Sequence, residues 1–337
     1  MFLIGYLQVR PCLSFQFGQH WISTRIVCSQ SQATCCLSSS KNLAKETGES
    51  PASVGFIGCG TIAKAIATGI ATQENVPIDS IVVSRRSETK SKSLTMAFPE
   101  LVTVQDDNQE ILNQCDFIFL TVLPEQASSV LQKLSFDSER HSLISLVSTA
   151  NLQDLVRDSK LDPHQVSKMI CLPSVARHEG VCLHCFNGSE AASIGSNPLL
   201  TKLFQSLGGV VTLDSERDLE VCMMTTCSMG PLYGAMKHAR DWLLESTSCL
   251  TKEEASYLVI KQFTGAILDA DRVDSSGSTS ETDATRLEAL IEEQTPGGLN
   301  EQALANFERL GGFDVQTKVM DAIVSRIRGE SDGSVEL

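Results

Sequence analysis

Gly58, Gly60 and Ala63 lie in the stretch VGFIGCGTIAKAIATGI, residues 54–70. Small residues at this spacing, between a short apolar strand and an amphipathic helix, form a phosphate-binding turn. Gly58 permits the tight exit from the strand. Gly60 lets backbone approach a pyrophosphate, and Ala63 lets the helix pack closely on the sheet. The N–H groups of the helix start, at Thr61 and Ile62, then face phosphate oxygens. A second cluster, VVSRRSE, closes the following strand. An Asp or Glu there usually binds a ribose 2′-hydroxyl, but this chain has Ser84, Arg85, Arg86 and Ser87. Guanidinium groups bind phosphate bidentately, so the cluster suits a 2′-phosphate and predicts NADP(H), with NAD possible. The strand CDFIFLTVLP ends in Val122, Leu123 and Pro124, which belong to the same expected cofactor site.

A third cluster, TPGGLN, lies far along the chain. Gly297 and Gly298 let successive N–H groups turn towards an anion, and the helix start that follows is electropositive. The structural alternative is that Thr295 caps a helix with Pro296 at its first position. Two glycines directly after such a cap would weaken that helix, which favours a binding loop.

These clusters need elements to position them. From residue 54 to residue 214, short apolar strands alternate with helical patterns. SIVVSRR, LVTVQ, CDFIFLTVLP and SLISLVST read as strands. SETKSKSLTMAF reads as a helix, and Asn151 is placed to cap another at NLQDLVRD. KMICL and VCLHCF continue the sheet, and GGVVTLD, 208–214, is its last strand. This alternation predicts a parallel sheet with right-handed crossovers. After Asp214 the patterns turn helical. Residues 218–247 form a long apolar stretch broken at Gly230-Pro231, Thr251 caps a helix over 252–272, and 274–285 is a polar surface loop. The expected organisation is an extension over 1–52, a cofactor domain over 53–214 and a helical domain over 215–330.

Composition narrows the partners. The chain has 337 residues, 42% of them hydrophobic, and a formal net charge of −14. So acidic a chain has no general affinity for nucleic acid or for anionic membrane, and no run of 18 apolar residues spans a bilayer. An anionic ligand must be held by local groups. The twelve cysteines form no disulfide framework. In CLHC, read as a strand, Cys182 and His184 share one face while Cys185 points to the other, so buried thiols are expected and no metal. Before Glu46 there is no acidic residue, but Arg10, Arg25, Lys41, Lys45 and many serines are present. That composition resembles a transit peptide, with mitochondrion and plastid both open. A disordered extension or a wrongly assigned start codon is the alternative, and the chain would then be cytoplasmic.

The motifs VGFIGCGTIAKAI, SRR, DFIFLTVLPEQ and ISLVSTANLQDL resemble, in order and spacing, the cofactor domain of pyrroline-5-carboxylate reductases. CSMGPLYGAMKHARDWL is similar to the SGSGPAY-containing helix of that family, and the segment around TPGG to its SPGGTT segment. The resemblance runs over about residues 53–328. It implies an α/β fold, a doubly wound Rossmann-type cofactor domain followed by an all-helical C-terminal dimerisation domain. It also implies hydride transfer from a nicotinamide to the C=N bond of pyrroline-5-carboxylate. Thr295, Gly297, Gly298, Leu299 and Asn300 then hold the small-molecule substrate, with Thr295 and Asn300 at the reacting end. The protein would be a homodimer or higher homo-oligomer, with the apolar stretch 218–247 buried against a second subunit.

There are departures from the family. Leu299 and Asn300 stand where it has small residues ending in Thr. Asn can hydrogen-bond a nitrogen but is no general acid. CSMGP puts Ser228 and Met229 in place of Gly and Ser, and Leu123 stands where the family's strand usually ends in Lys. LPSVARHEG matches the family's PNTP segment only loosely. Arg177 and His178 fall in that segment, and a surface loop or a cleft role is open for them. A reductase of another imine or of a keto or hydroxy acid, or a non-catalytic NADP-binding protein, remains the alternative.

Overall fold

The computed structural model describes residues 50–186, 198–271 and 286–335. The expected extension, up to residue 49, and the expected polar loop at 274–285 lie outside the described residues. Eight strands form one sheet in the order β3-β2-β1-β4-β5-β6-β7-β8. They are β1 (Ala52–Ile57), β2 (Ile78–Ser84), β3 (Val102–Gln105), β4 (Phe117–Leu120), β5 (Ser142–Ser145), β6 (Val166–Ile170), β7 (Cys182–Phe186) and β8 (Val210–Leu213). Helices cross between them, beginning with α1 (Thr61–Thr72) and α2 (Glu88–Ala97).

The central strands are apolar on both faces because both faces are covered. Phe56 and Phe119 point to one side and join Ile66 of α1 and Phe204 in one core. Their neighbours Ile57, Ile118 and Leu120 point to the other side and pack with Ile111 and Leu131. The Phe56 and Phe119 rings stack with centroids 5.0 Å apart. Each such fully buried side chain contributes about 1.5–3 kcal/mol relative to exposure.

Two strands, β7 and β8, depart from the expected parallel sheet. β7 runs antiparallel to β6, while β8 is parallel to β7. A parallel return needs a crossover of a dozen or more residues, usually containing an α-helix. Residues 171–181 hold only the short 3₁₀ turn Pro173–Arg177, so the chain doubles back. On β7 the faces separate as the strand period requires. Cys182 lies in the core with Phe56, and Cys185 in the core with Ile57. His184 is buried edge-on against Phe204, with centroids 4.7 Å apart.

The sheet ends at Leu213, and the Ser215 hydroxyl accepts from Asp218 N–H at 3.1 Å to cap the first helix of the C-terminal region. That region contains helices at Glu216–Cys222, Met224–Cys227, Met229–Ser246, Lys252–Asp271, Arg286–Glu292, Leu299–Arg309 and Gly312–Ile327. Thr251 caps as expected: Glu254 N–H donates to its hydroxyl at 3.2 Å, and Glu254 returns a carboxylate to Thr251 N–H at 2.8 Å. The break expected at Gly230-Pro231 falls earlier, at Met223 and Ser228. Pro231 sits in the first turn of Met229–Ser246, where an N–H has no intrahelical acceptor and its loss costs nothing. Among the described residues no helix is long and apolar enough to cross a membrane.

Candidate functional site

The glycine turn leaves β1 and enters α1. Gly58 has φ +105°, and a Cβ there would meet the Thr121 carbonyl oxygen at 2.6 Å, so both its conformation and its packing require glycine. Gly60 caps α1, its carbonyl accepts from Lys64 N–H at 3.0 Å, and a Cβ on it would enter open space. A ligand can therefore approach the backbone at this point. Ala63 is fully buried against the sheet. Ile62 is half-buried against the same core, and Thr61 is exposed at the helix start.

A cavity of about 390 Å³ opens beside this turn, lined by Ile57, Gly58, Ser84, Arg85, Arg86, Asp106, Asn108 and Val122. The parallel register that pairs Ser84 with Gln105 brings the ends of β2 and β3 together at its mouth. Of the residues expected to hold the cofactor, Gly58, Ser84, Arg85, Arg86 and Val122 line the cavity. Gly60, Thr61, Ile62 and Ala63 form the adjoining helix start. Leu123 is exposed and caps the helix Pro124–Leu131, with Pro124 at its first position. Ser87 stands at the N-terminal boundary of α2.

Ser84 has a second task. It is buried, and its hydroxyl oxygen accepts from Gly58 N–H at 2.9 Å, so it fixes the turn from below. Arg85 is ion-paired with Asp106, whereas Arg86 has no ion-pair partner among the described residues. Lys90 of α2 donates to the Thr61 hydroxyl at 3.0 Å, adding an ammonium to the first turn of α1. Burial pushes the Cys59 thiol pKa up, and the charges of Lys90 and Lys64 pull against that. A chain of net charge −14 thus gathers cations at one turn, as phosphate capture requires.

Lys90, Asp106 and Asn108 are absent from the sequence reading. The only local signal for the last two is QDDN directly after a strand, and that signal has meaning only once β3 is known to flank β2. Arg177 and His178 lie far from the cavity. His178 Nε2 meets the Thr72 hydroxyl at 3.0 Å, at the opposite end of α1. Arg177 is exposed and ion-paired with Glu179, as a surface loop would have it.

The TPGG loop joins Arg286–Glu292 to Leu299–Arg309. Thr295 does not cap the helix; Gly298 does, and its N–H donates to the Thr295 carbonyl at 2.8 Å. Gly297 has φ +69°, and its N–H donates to the Glu301 carboxylate at 2.5 Å. The loop therefore already binds a carboxylate, its own. Leu299 and Asn300 are exposed in the first helical turn. Within one chain none of Thr295, Gly297, Gly298, Leu299 and Asn300 lines the cavity.

Residues 53–149 match the family model described as NADP oxidoreductase, coenzyme F420-dependent. Pyrroline-5-carboxylate reductase 3 of Danio rerio is 28% identical over 151 residues, covering 44% of this chain and 51% of that protein. Pyrroline-5-carboxylate reductase 1 of Dictyostelium discoideum is 23% identical over 198 residues, covering 55% of this chain and 35% of that protein. The chain thus spans between about a third and a half of the length of these two relatives. Among solved structures, the Plasmodium falciparum pyrroline carboxylate reductase, with NADP bound, superposes with a TM-score of 0.65 at 19% identity, over 84% of this chain and 98% of that one. The pyrroline-5-carboxylate reductase of Coxiella burnetii gives a TM-score of 0.66 at 21% identity, over 84% and 99%. These two likenesses establish the fold, a parallel-sheet α/β domain followed by helices. The chain is thus similar in sequence, over about half its length, to pyrroline-5-carboxylate reductases, and it shares the fold of those solved.

Proposed function

We propose that this protein is an NADPH-dependent reductase of a cyclic imine, with pyrroline-5-carboxylate as substrate and proline as product. The observation that carries this reading is the cavity itself: an open backbone approach at Gly60 beside Gly58, with Arg85 and Arg86 at its mouth. The relative solved with NADP bound supports the same choice of cofactor.

The residues present fit the cofactor. The N–H groups at the start of α1, with Lys90 alongside, would hold the pyrophosphate. Arg86 and Arg85 would hold the 2′-phosphate, and Val122 would line the path towards the nicotinamide. When bound, the nicotinamide supplies a hydride to the imine carbon. The TPGG loop would orient the substrate, with Thr295 and Asn300 as hydrogen-bonding groups. Asn300 cannot give up a proton at neutral pH, so the proton on the product nitrogen arrives with the substrate or through water.

We further propose that the site is completed in a homodimer. The loop stands apart from the cavity, and Tyr233, Trp242, Ile260, Ile267, Leu268, Leu287, Ile291 and Phe307 expose apolar surface on the helices. Large exposed apolar side chains concentrated on one set of helices favour an association face there. The acid-free N-terminal composition supports import into a mitochondrion or a plastid.

One observation favours a second reading. The Glu301 carboxylate already holds the Gly297 N–H, and Asn300 replaces the family's Thr, so another imine or a keto acid is the competing substrate. The deciding experiment follows NADPH absorbance with pyrroline-5-carboxylate and with a panel of other cyclic imines and keto acids. Oxidation with the first alone upholds the proposal. Oxidation only with others moves the substrate, and NADPH binding without oxidation of any leaves a binding protein.

A further inference from the structure

Two aspartates follow β3, and they have different employment. Asp107 accepts from Gln109 N–H at 2.9 Å and caps the helix Asn108–Gln114. Asp106 has no such task. It points back across the cavity mouth, and its partner is the Arg85 guanidinium. Stability does not explain the pair. Its side chains are 52% and 73% exposed, and ion pairs that open to solvent contribute little to folding. Its place in the cavity is informative instead, because Asp106 engages one of the two cations that a 2′-phosphate would need.

We propose that Asp106 sets the choice between the two nicotinamide dinucleotides. It acts as an internal competitor of the 2′-phosphate for Arg85, and it offers a carboxylate acceptor to the 2′-hydroxyl of the unphosphorylated dinucleotide. This rests on the nucleotide reading given above. A phosphate entering the site meets Arg86 free and Arg85 occupied. To gain the second guanidinium it must displace Asp106 and bear the repulsion of the freed carboxylate, which is tethered a few ångströms away and is screened only by solvent. A ribose hydroxyl has no charge to repel and can donate to the same carboxylate while Arg85 stays paired. The mouth is therefore built for two guests. Arg86 favours the phosphorylated one, and Asp106 reduces that preference.

The test is titration of the full-length protein with NADPH and with NADH, followed by nucleotide fluorescence. Asp106→Asn removes the charge and keeps the shape, and the side chain is exposed enough to leave the fold alone. It should tighten NADPH about tenfold, the scale of one charge-assisted hydrogen bond in a wet site, and weaken NADH severalfold. Arg85→Ala should cost NADPH less than about threefold in the wild-type background but about tenfold in the Asp106→Asn background, because only then is the guanidinium free. An NADPH-to-NADH affinity ratio unchanged by Asp106→Asn overturns the inference and leaves the nucleotide site standing. If neither nucleotide binds to the wild type or to Asp106→Asn, the nucleotide reading falls and this inference with it.

Discussion

The two halves of the chain are folded by different balances. In the sheet half, Phe56, Ile57, Phe119 and Leu120 are fully buried, and each face of the sheet closes its own core. In the helical half, Met229–Ser246, Leu299–Arg309 and Gly312–Ile327 contain no buried residue, and Lys252–Asp271 buries only Ala255 and Val259. Arg328 joins Glu220 at 3.0 Å, and Ile327 packs on the core beneath. The half that holds the cavity closes its core within one chain, whereas the half that carries the TPGG loop leaves large apolar side chains exposed. The deepest polar link between them is the buried Lys168 of β6, which donates to Glu216 at 2.7 Å and to the Ser148 carbonyl at 3.2 Å. Glu216 also accepts from Leu152 N–H at 3.1 Å, so one carboxylate ties the first C-terminal helix to the β5 and β6 ends of the sheet.

The comparison breaks most sharply at the glycine turn. Gly60→Val should abolish NADPH binding, a loss of more than about a hundredfold read by titration, with the melting temperature kept. A Cβ there meets no neighbouring protein atom within 4 Å and points into open space. A variant that binds normally would put the nucleotide elsewhere.

The next effect tests how closed the sheet half is. His184 is buried with no partner at Nε2, and burial alone lowers its pKa from 6.5 to about 3. Below pH 6.5 the unfolded chain takes up a proton that the folded chain refuses. Stability should therefore fall by about 1.4 kcal/mol per pH unit as pH drops from about 6.5 to 3, with no contribution from this group above that range. Urea melts at pH 7 and pH 4.5 should show the wild type losing about 2–3 kcal/mol more than His184→Leu. Equal losses would mean that the strand opens before the histidine charges.

Arg86→Ala should weaken NADPH about ten- to a hundredfold and leave NADH nearly unchanged, since one free guanidinium is lost from the phosphate. Parallel titrations of the two nucleotides decide it. The smallest effect on folding, and the one that isolates the other half, is Trp242→Asp. Trp242 is 60% exposed, so monomer stability should move by about 1 kcal/mol or less while sedimentation shifts from dimer to monomer. A variant that sediments as the wild type does would remove Trp242 from the association face.

Much of the sheet half was legible because its signals are local. A glycine that must adopt positive φ, an Asn or Thr that caps a helix, and an apolar strand before an amphipathic helix each declare themselves within a few residues. Gly58, Asn151 and Thr251 all behave as their types demand. The site was legible where it follows the first two strands and illegible where it depends on the third. Asp106 and Asn108 are ordinary loop residues until β3 is laid beside β2. The helical half was harder for the same reason. The stretch 218–247 reads as broken at Gly230-Pro231, because a proline in a first turn cannot be told from one that ends a helix until the helix start, here Met229, is known.

The sequence by itself determined the glycine turn, the strand-helix alternation, the paired arginines and the change to helices after Asp214, since each depends on residue type and short-range spacing. Tertiary structure alone decided that β7 runs antiparallel, that Ser84 supports Gly58, that Asp106 takes Arg85, and that the TPGG loop lies outside the cavity of its own chain. Those outcomes join residues that are distant along the chain. They follow from strand order, connection length and the competition among many buried contacts, which no single stretch of sequence contains.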